Sequence, residues 1–237
     1  MAVAARRRQH RLFLPAAKRH TLESQRYACV DGEQLDTETA YRLIVGCVAP
    51  RPIAWITSVD DAGRVNAAPF SSYNYVATSP PMVAINIARR AVGGATKDTA
   101  RNIERSRSFV VNVATEAHME LMHRCGQEYP PDVSEAEALG LPLLPSRHVA
   151  APRIALSPVQ MECRLDQIVK LGRGVNTLYI GEVVAFHLRD DVFDGHRVDS
   201  VRMRPIARLG GPFYAALGDI FERPMLQKPP GGEGWSG

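Results

Sequence analysis

The four cysteines of the sequence are too few and too scattered to form a recognisable cysteine motif. They are Cys29, Cys47, Cys125 and Cys163, and no two of them have Cys-x-x-Cys spacing. Neither a zinc knuckle nor a compact disulfide scaffold is therefore predicted. Reduced thiols are the simplest interpretation, and they favour a cytoplasmic protein.

Long apolar runs are also missing. The run Leu12-Phe13-Leu14 is far shorter than the core of a signal peptide or the roughly 20 residues of a membrane span. No window elsewhere in the sequence approaches that length. No membrane association is predicted.

The motifs of several common enzyme classes are absent as well. No Gly-x-Gly-x-x-Gly follows a predicted strand, so a Rossmann module is not indicated. His118 and His123 are five residues apart and lie on different faces of a helix, so they do not form a metal-binding pair. Ser71 lacks the Gly-x-Ser-x-Gly elbow of a hydrolase. We therefore predict no metal site and no catalytic side chain for acid–base or nucleophilic hydrolysis.

The composition is that of an ordinary globular protein. Of the 237 residues, 45% are hydrophobic and 23% are charged, which favours one large folded domain over wholesale disorder. We place this domain at residues 21–223. It lies between a basic disordered arm, residues 1–20, and a disordered tail rich in proline and glycine, residues 224–237.

The basic arm accounts for the net charge of +4, because residues 1–20 contain six lysines and arginines and no acidic residue. An Arg-rich, acid-free start resembles a mitochondrial transit peptide, and it can also bind nucleic acid or an anionic membrane. A disordered leader or an extended translation start explains it more simply. Nucleic-acid binding is therefore not favoured.

The stretch 51–81 organises the predicted fold. Apolar residues alternate onto both faces between Ile53 and Ser58, which predicts a strand that is buried on both sides. A turn at 60–63 follows, and residues 66–70 return antiparallel and lead to a hydroxyl-rich loop. Pro80-Pro81 then ends the segment.

Later strands follow one another with only short helices between them. Helices are predicted at 36–46, 96–105 and 116–124, and the segment 127–152 is predicted to be a surface excursion or a dimer arm. Further strands are predicted at 82–87, 108–115, 159–165, 177–188 and 202–209. This succession predicts an antiparallel barrel.

Two polar constellations could hold a ligand. The loop from Phe70 to Tyr75 places aromatic rings beside hydroxyl and amide groups, which suits a flat heteroaromatic ring. Lys97-Asp98-Thr99 at a helix start combines a cation, a hydroxyl and free backbone amides, which suits a phosphate, and Arg51 could add a second positive contact. Each constellation alone is more often structural, as a polar loop or a helix cap. Together they describe a site for a nucleotide-like cofactor.

The motifs that contain these residues resemble the flavin reductase-like family of FMN-binding split barrels. Their order and spacing match this family over roughly residues 35–222. The early motifs are Arg51-Pro52-Ile53-Ala54-Trp55, the turn with Gly63, Asn66 to Ser71, Ser79-Pro80-Pro81, and Lys97-Asp98-Thr99 with Asn102. The later motifs are Pro152-Arg153, Ser157-Pro158-Val159 with Glu162-Cys163, Gly181-Glu182-Val183, and Leu209-Gly210-Gly211 with Tyr214.

The resemblance implies a mainly β protein, a six-stranded antiparallel split β-barrel with peripheral helices. It further implies a homodimer with one FMN per subunit near the interface. Many relatives carry Asn-Ser where this chain has Ser71-Ser72, so the hydrogen bonds to the ring differ locally. The residues that the resemblance assigns to FMN are Arg51, Pro52 and Ala54 in the first strand, Phe70, Ser71 and Ser72 after the second, and Lys97, Asp98, Thr99 and Asn102 at the helix start.

The function implied by the resemblance is that of an NAD(P)H-dependent flavin reductase, in which hydride passes from NADH or NADPH to flavin N5. The flavin supplies the chemistry, so no protein acid or base is required. Without a Rossmann domain, the nicotinamide would lie directly against the flavin. The reduced flavin would serve a small-molecule redox substrate or a partner oxygenase. A flavin-binding electron carrier or storage protein, and an FMN-dependent oxidase or oxygenase, remain as alternatives.

Overall fold

The computed structural model describes residues 26–90, 93–130, 133–173 and 175–223. The predicted arm 1–20 and tail 224–237 lie outside these residues. The chain divides into two compact units, and the boundary between them lies between Ala40 and Tyr41. In the part of the chain that is described, no helix is both long and apolar enough to cross a bilayer.

A short helical segment precedes the strands. A 3-10 helix at Gly32–Gln34 begins where the Asp31 carboxylate accepts the backbone N–H of Glu33. Helix α1, Thr37–Cys47, begins after Asp36, whose carboxylate accepts the backbone N–H and the hydroxyl of Thr39. This side-chain cap is the signal that predicted the helix, and the prediction is confirmed.

The remaining elements are mostly strands. The strands are β1 Arg51–Pro52, β2 Ala54–Val59, β3 Val65–Phe70, β4 Tyr73–Thr78, β5 Pro81–Ala88, β6 Ser108–Val113, β7 Leu143–Leu144, β8 Arg153–Ile154, β9 Val159–Leu171, β10 Asn176–Leu188, β11 Ala207–Arg208 and β12 Tyr214–Ala215. The helices are α2 Asp98–Ser106, α3 Met119–Arg124, α4 Glu135–Ala138 and α5 Ser200–Met203, with a 3-10 turn at Glu116–His118 before α3.

The strands form three antiparallel sheets in the described residues. The main sheet has seven strands in the order β3-β2-β6-β9-β10-β5-β4, and the smaller sheets are β1-β11-β12 and β7-β8. The predicted class, mainly β and antiparallel, is confirmed. The predicted count of six strands is not confirmed, because the main sheet has one strand more.

The additional strand is β4. The sequence pattern predicts a hydroxyl-rich loop after Phe70, but only Ser71 and Ser72 form it, and the chain re-enters the sheet at Tyr73. Strand β4 pairs with β5 from Tyr73 opposite Ile85 to Thr78 opposite Pro81. Its tyrosines, valine and threonine favour extended backbone, and as an edge strand it needs no alternating apolar face on both sides.

The predicted strand 202–209 is also shorter than expected. Residues Ser200–Met203 form α5 instead, because the Asp199 carboxylate accepts the backbone N–H groups of Val201 and Arg202 and caps a helical turn. Strand β11 occupies only Ala207–Arg208 and pairs with both β1 and β12.

The apolar core lies on both faces of the main sheet. Ala54 and Ile56 of β2 pack into one buried cluster, with Phe70, Ile85 and Phe109. Trp55 of the same strand and Ile53, which directly precedes it, pack into a second cluster with Met122 and Ile154. Strand β2 is therefore buried on both faces, as its sequence predicts.

Candidate cofactor site

A cleft opens where the end of β3 meets the start of α2. Four of the residues that the sequence assigns to a cofactor lie together in it: Phe70, Lys97, Asp98 and Thr99. The other lining residues come from β3 and from loops that are distant in sequence: Asn66, Ala68, Pro69, Arg90, Cys125, Gly126, Gln127, Glu128, Tyr129 and Glu135. We call this the α2 cleft.

The start of α2 is suited to binding an anion. The residue at the N-cap position is Lys97, and its side chain makes no capping hydrogen bond within the described chain. A lysine cannot accept a hydrogen bond, so the first backbone amides of the helix are left without a side-chain acceptor. These amides and the positive end of the helix dipole favour a phosphate or carboxylate at this position.

Two cations flank this helix start. The ammonium of Lys97 lies 5.8 Å from the centre of the Phe70 ring. Burial lowers the pKa of Lys97, and Arg90 lowers it further, while Glu128 acts in the opposite direction. The Arg90 guanidinium pairs with the Asp98 carboxylate at 2.6 Å. Lys97 makes no ion pair with a carboxylate among the described residues, so its charge is available to a ligand.

A buried hydrogen bond fixes the position of α2 relative to β3. The side-chain amide of Asn66 donates to the hydroxyl oxygen of Thr99 at 2.8 Å, and both side chains are buried. Because the Thr99 oxygen accepts this bond, its own proton can be donated into the cleft.

The opposite wall of the cleft is held by residues around α4. The Glu135 carboxylate accepts the backbone N–H of Ala67 at 3.1 Å, and the Ser134 hydroxyl donates to the carbonyl of Val65 at 2.7 Å. These contacts satisfy backbone groups of β3, which is an edge strand. Burial raises the pKa of Glu135. Burial likewise raises the pKa of the Cys125 thiol to about 12, which disfavours its thiolate form.

The chemistry of the cleft lining suits a flat ring that carries a phosphate. Phe70, Ala68 and Pro69 provide an apolar surface, and the start of α2 with Lys97 provides the anion site. The cleft volume is about 130 Å³, which is smaller than the roughly 300–1,000 Å³ typical of ligand pockets. One chain therefore encloses only part of such a ligand.

Three predicted residues lie outside the cleft lining, in or beside β1. The Arg51 guanidinium donates to the backbone carbonyls of Val45, of Val48 at 2.6 Å and of Leu209 at 2.9 Å. Pro52 is exposed, and Ala54 has no exposed surface. Their contacts with a flavin stay predictions.

The remaining three predicted residues are also outside the lining of the α2 cleft. Ser71 is half-buried and Ser72 is exposed, and both directly follow Phe70. The carbonyl of Ser72 accepts the backbone N–H of Asn86 at 2.8 Å. Asn102 is buried, donates to the Ser58 hydroxyl at 3.2 Å and lines a neighbouring cleft.

Several cleft residues are not predicted from the sequence. Arg90 lies in a segment interpreted as a flexible loop, and Glu135 lies in one interpreted as a surface excursion. One local signal could have indicated Glu135, because Ser134 in front of it is a helix-capping residue. No comparable signal marks Arg90. In the described part of the chain, no group of three or more histidine, cysteine or acidic side chains is placed to bind a metal ion.

Comparisons with known proteins agree on one family. The model of the flavin reductase-like domain matches residues 46–202. An uncharacterised protein of Halalkalibacterium halodurans is 37% identical over 202 residues, which cover 83% of this chain and 96% of that protein.

Two solved structures are also similar. Nitrilotriacetate monooxygenase component B of Bacillus cereus has a TM-score of 0.80 at 32% identity, covering 84% of this chain and all of that one. The 2-nitrobenzoate 2-nitroreductase of Pseudomonas fluorescens has a TM-score of 0.76 at 35% identity, covering 86% of this chain and all of that one. The chain therefore belongs to the flavin reductase-like family, and its fold is that of the FMN-binding split barrels.

Proposed function

We propose that the protein binds FMN in the α2 cleft and is an NAD(P)H-dependent flavin reductase. The observation that carries the proposal is the uncapped start of α2, where Lys97 stands beside the Phe70 ring. This arrangement offers a phosphate site next to an apolar surface for a flat ring. Family membership supports the flavin as the ligand.

The residues of the cleft have distinct roles in this proposal. Lys97 and the first amides of α2 bind the phosphate, and the Thr99 hydroxyl donates a further hydrogen bond to it. Phe70 packs against the ring system. Arg90, held by Asp98, supplies a second positive charge. When bound, FMN supplies a redox centre that can accept hydride from a nicotinamide.

Anaerobic mixing of the flavin-loaded protein with NADH or NADPH tests the proposal. We expect at least one of the two nucleotides to reduce the bound flavin, which is seen as a loss of the absorbance of oxidised flavin after mixing. A flavin that binds but stays oxidised with both would instead identify an electron carrier or a storage protein. Failure to bind FMN at all would refute the cleft assignment.

A second candidate is direct reduction of a nitro group. It is favoured by the 35% identity to the 2-nitrobenzoate 2-nitroreductase over the full length of that protein. In this case NAD(P)H consumption by the flavin-loaded protein should increase when 2-nitrobenzoate is added. An unchanged rate would leave a partner oxygenase, suggested by the likeness to monooxygenase component B, as the consumer of reduced flavin.

We also propose that the protein is a homodimer. Edge strand β4 exposes Tyr75 (69% exposed) and Val76 (50%), and the α2 cleft is only partly enclosed by one chain. An apolar edge strand is a ready surface for pairing with another subunit. Light scattering should give twice the chain mass, and Val76→Lys should shift it toward the monomer. A monomeric wild-type protein would refute this part.

A cytoplasmic location completes the proposal. It is supported by the four cysteines, all of which are free: Cys29 and Cys47 are exposed, and Cys125 and Cys163 are buried. Free thiols are typical of a reducing compartment. Cell fractionation followed by immunodetection tests the location, and recovery in a secreted or membrane fraction would contradict it.

A further inference from the structure

A second cavity lies where the start of β9 and the end of β10 meet β8 and the loop before β8. Its volume is about 470 Å³, which is within the roughly 300–1,000 Å³ range of ligand pockets. It shares no lining residue with the α2 cleft. The cavity is therefore separate from the α2 cleft.

The lining of this cavity is rich in basic side chains. It contains three arginines and two histidines, and none of its lining residues is acidic: the five basic residues are Arg147, His148, Arg153, His187 and Arg189. The Arg189 guanidinium pairs with Asp191, and Arg153 donates to the Pro145 carbonyl and the Gln160 side chain. The side chain of Arg147 has no hydrogen-bond or ion-pair partner in the described part of the chain.

A buried carboxylate fixes the backbone at Arg147 and His148 and the ring of His187. Glu162 is fully buried, and its oxygens accept the backbone N–H of Arg147 at 2.8 Å, that of His148 at 2.6 Å and Nε2 of His187 at 2.6 Å. Burial alone would raise the pKa of Glu162, but these three donors hold it below its usual value. Glu162 is thus an ionised acceptor that orients the His187 ring.

One side of the cavity is apolar. Phe186 is 51% exposed, and Leu144 and Leu188 also line the cavity. An aromatic ring that exposes half of its surface beside several cations suits a ligand with an apolar body and an anionic group.

We propose that this cavity binds an organic anion, with its carboxylate or phosphate against Arg147 and Arg189 and its apolar body against Phe186. Arginine forks match both kinds of anion, because each has oxygens that accept two parallel hydrogen bonds.

Calorimetric titration of the full-length, FMN-saturated protein tests the proposal. Benzoate and phenyl phosphate carry the two anion types on one apolar body, benzamide lacks the charge, and inorganic phosphate lacks the body. At least one of the two organic anions should bind about tenfold more tightly than both benzamide and inorganic phosphate. Absence of saturable binding by both organic anions, or binding of benzamide or inorganic phosphate as tight as theirs, would overturn the proposal.

Variants locate the binding. Arg147→Gln should weaken binding of the organic anion about tenfold. It should leave the fold intact, since the Arg147 side chain has no partner to lose. The matched control is Arg164→Gln, which removes an exposed arginine on β9 that does not line the cavity. Equal effects of the two variants, or release of FMN on adding the probe, would place binding elsewhere and refute the assignment.

Discussion

The ammonium of Lys97 and the ring of Phe70 are 5.8 Å apart, at the junction of α2 and β3. This distance is that of a cation–π contact, which keeps the lysine over the apolar floor of the cleft in the absence of a carboxylate partner. The same residue stands at the N-cap of α2, where it leaves the backbone amides free. The Lys97 ammonium and the first backbone amides of α2 can therefore bind the same anion.

Lys97→Ala should weaken FMN binding by about 1–3 kcal/mol, the range of a lost charge-assisted hydrogen bond. The matched control is Lys170→Ala, since Lys170 is exposed on β9, away from the cleft. Fluorescence quenching of FMN measures both dissociation constants. Unchanged affinity in Lys97→Ala would remove Lys97 from the phosphate site.

FMN binding should be coupled to proton uptake at alkaline pH. Burial lowers the pKa of Lys97 in the free protein, and a bound phosphate would raise it again. At a pH between the pKa of Lys97 in the free protein and its pKa in the complex, FMN binding requires Lys97 to take up a proton. FMN affinity should therefore fall as the pH rises. Titration calorimetry above pH 8 in two buffers of different ionisation enthalpy should give different heats. Identical heats, or a difference that persists in Lys97→Ala, would contradict this linkage.

Glu135→Gln should stabilise the free protein at neutral pH. Burial raises the pKa of Glu135 above its usual value of 4.5, so its ionisation costs more in the folded state than in the unfolded chain. This loss of stability begins as the pH rises through 4.5, the pKa in the unfolded chain. It is complete above the raised pKa of Glu135 in the folded protein. Thermal unfolding should show a higher Tm for the variant at pH 7 and a smaller difference at pH 4.

The control for this substitution is Glu137→Gln, which changes an exposed carboxyl of the same helix α4. Its Tm difference from the wild type should vary little between the two pH values. A pH-independent effect of Glu135→Gln would show that the lost group acts through packing and not through its charge.

Gly181→Ala should destabilise the fold by about 1–3 kcal/mol through overpacking. A Cβ atom at Gly181 would lie 2.6 Å from Cζ of the buried Phe109 ring, at a register shift between β9 and β10. The contrasting control is Gly46→Ala in α1, where an added Cβ meets no atom within 4 Å. Urea unfolding should show a loss for the first variant and no loss for the second.

Arg51→Lys separates two roles of Arg51. If the guanidinium mainly holds the carbonyls of Val45, Val48 and Leu209, the variant should lose about 1.5–3 kcal/mol of stability, because an ammonium cannot reach all three. FMN affinity of the folded variant should then match the wild type. A stable variant with weaker FMN binding would instead support the flavin contact predicted from the sequence.

The central hairpin could be predicted because its pattern is local. Apolar residues alternate onto both faces of β2, and the turn after it contains Asp60, which accepts the backbone N–H groups of Ala62 and Arg64. Strand β4 could not be predicted, because an edge strand needs neither burial nor alternation. Its pairing with β5 across Ser79-Pro80 depends on a neighbour and not on its own residues.

The site was predictable only in part, for the same reason. Lys97 and Thr99 were found because a helix start has a local signature. Glu135 reaches Ala67 across 68 residues of chain, and no local pattern encodes that contact. Arg51 was assigned to the flavin because it belongs to a family motif, and the sequence did not reveal that its guanidinium donates to three backbone carbonyls. Its contact with a flavin stays a prediction.

The link between Arg51 and Leu209 also constrains the order in which the protein can assemble. The two residues are 158 positions apart, and among the described strands β1 pairs only with β11. At about 5–20 residues per second, a ribosome needs on the order of ten seconds to make the intervening chain. During that time the Arg51 guanidinium has no Leu209 carbonyl to bind and β1 has no partner strand. The three-stranded sheet is thus among the last parts to form during translation, and a chain truncated before Ala207 would never complete it.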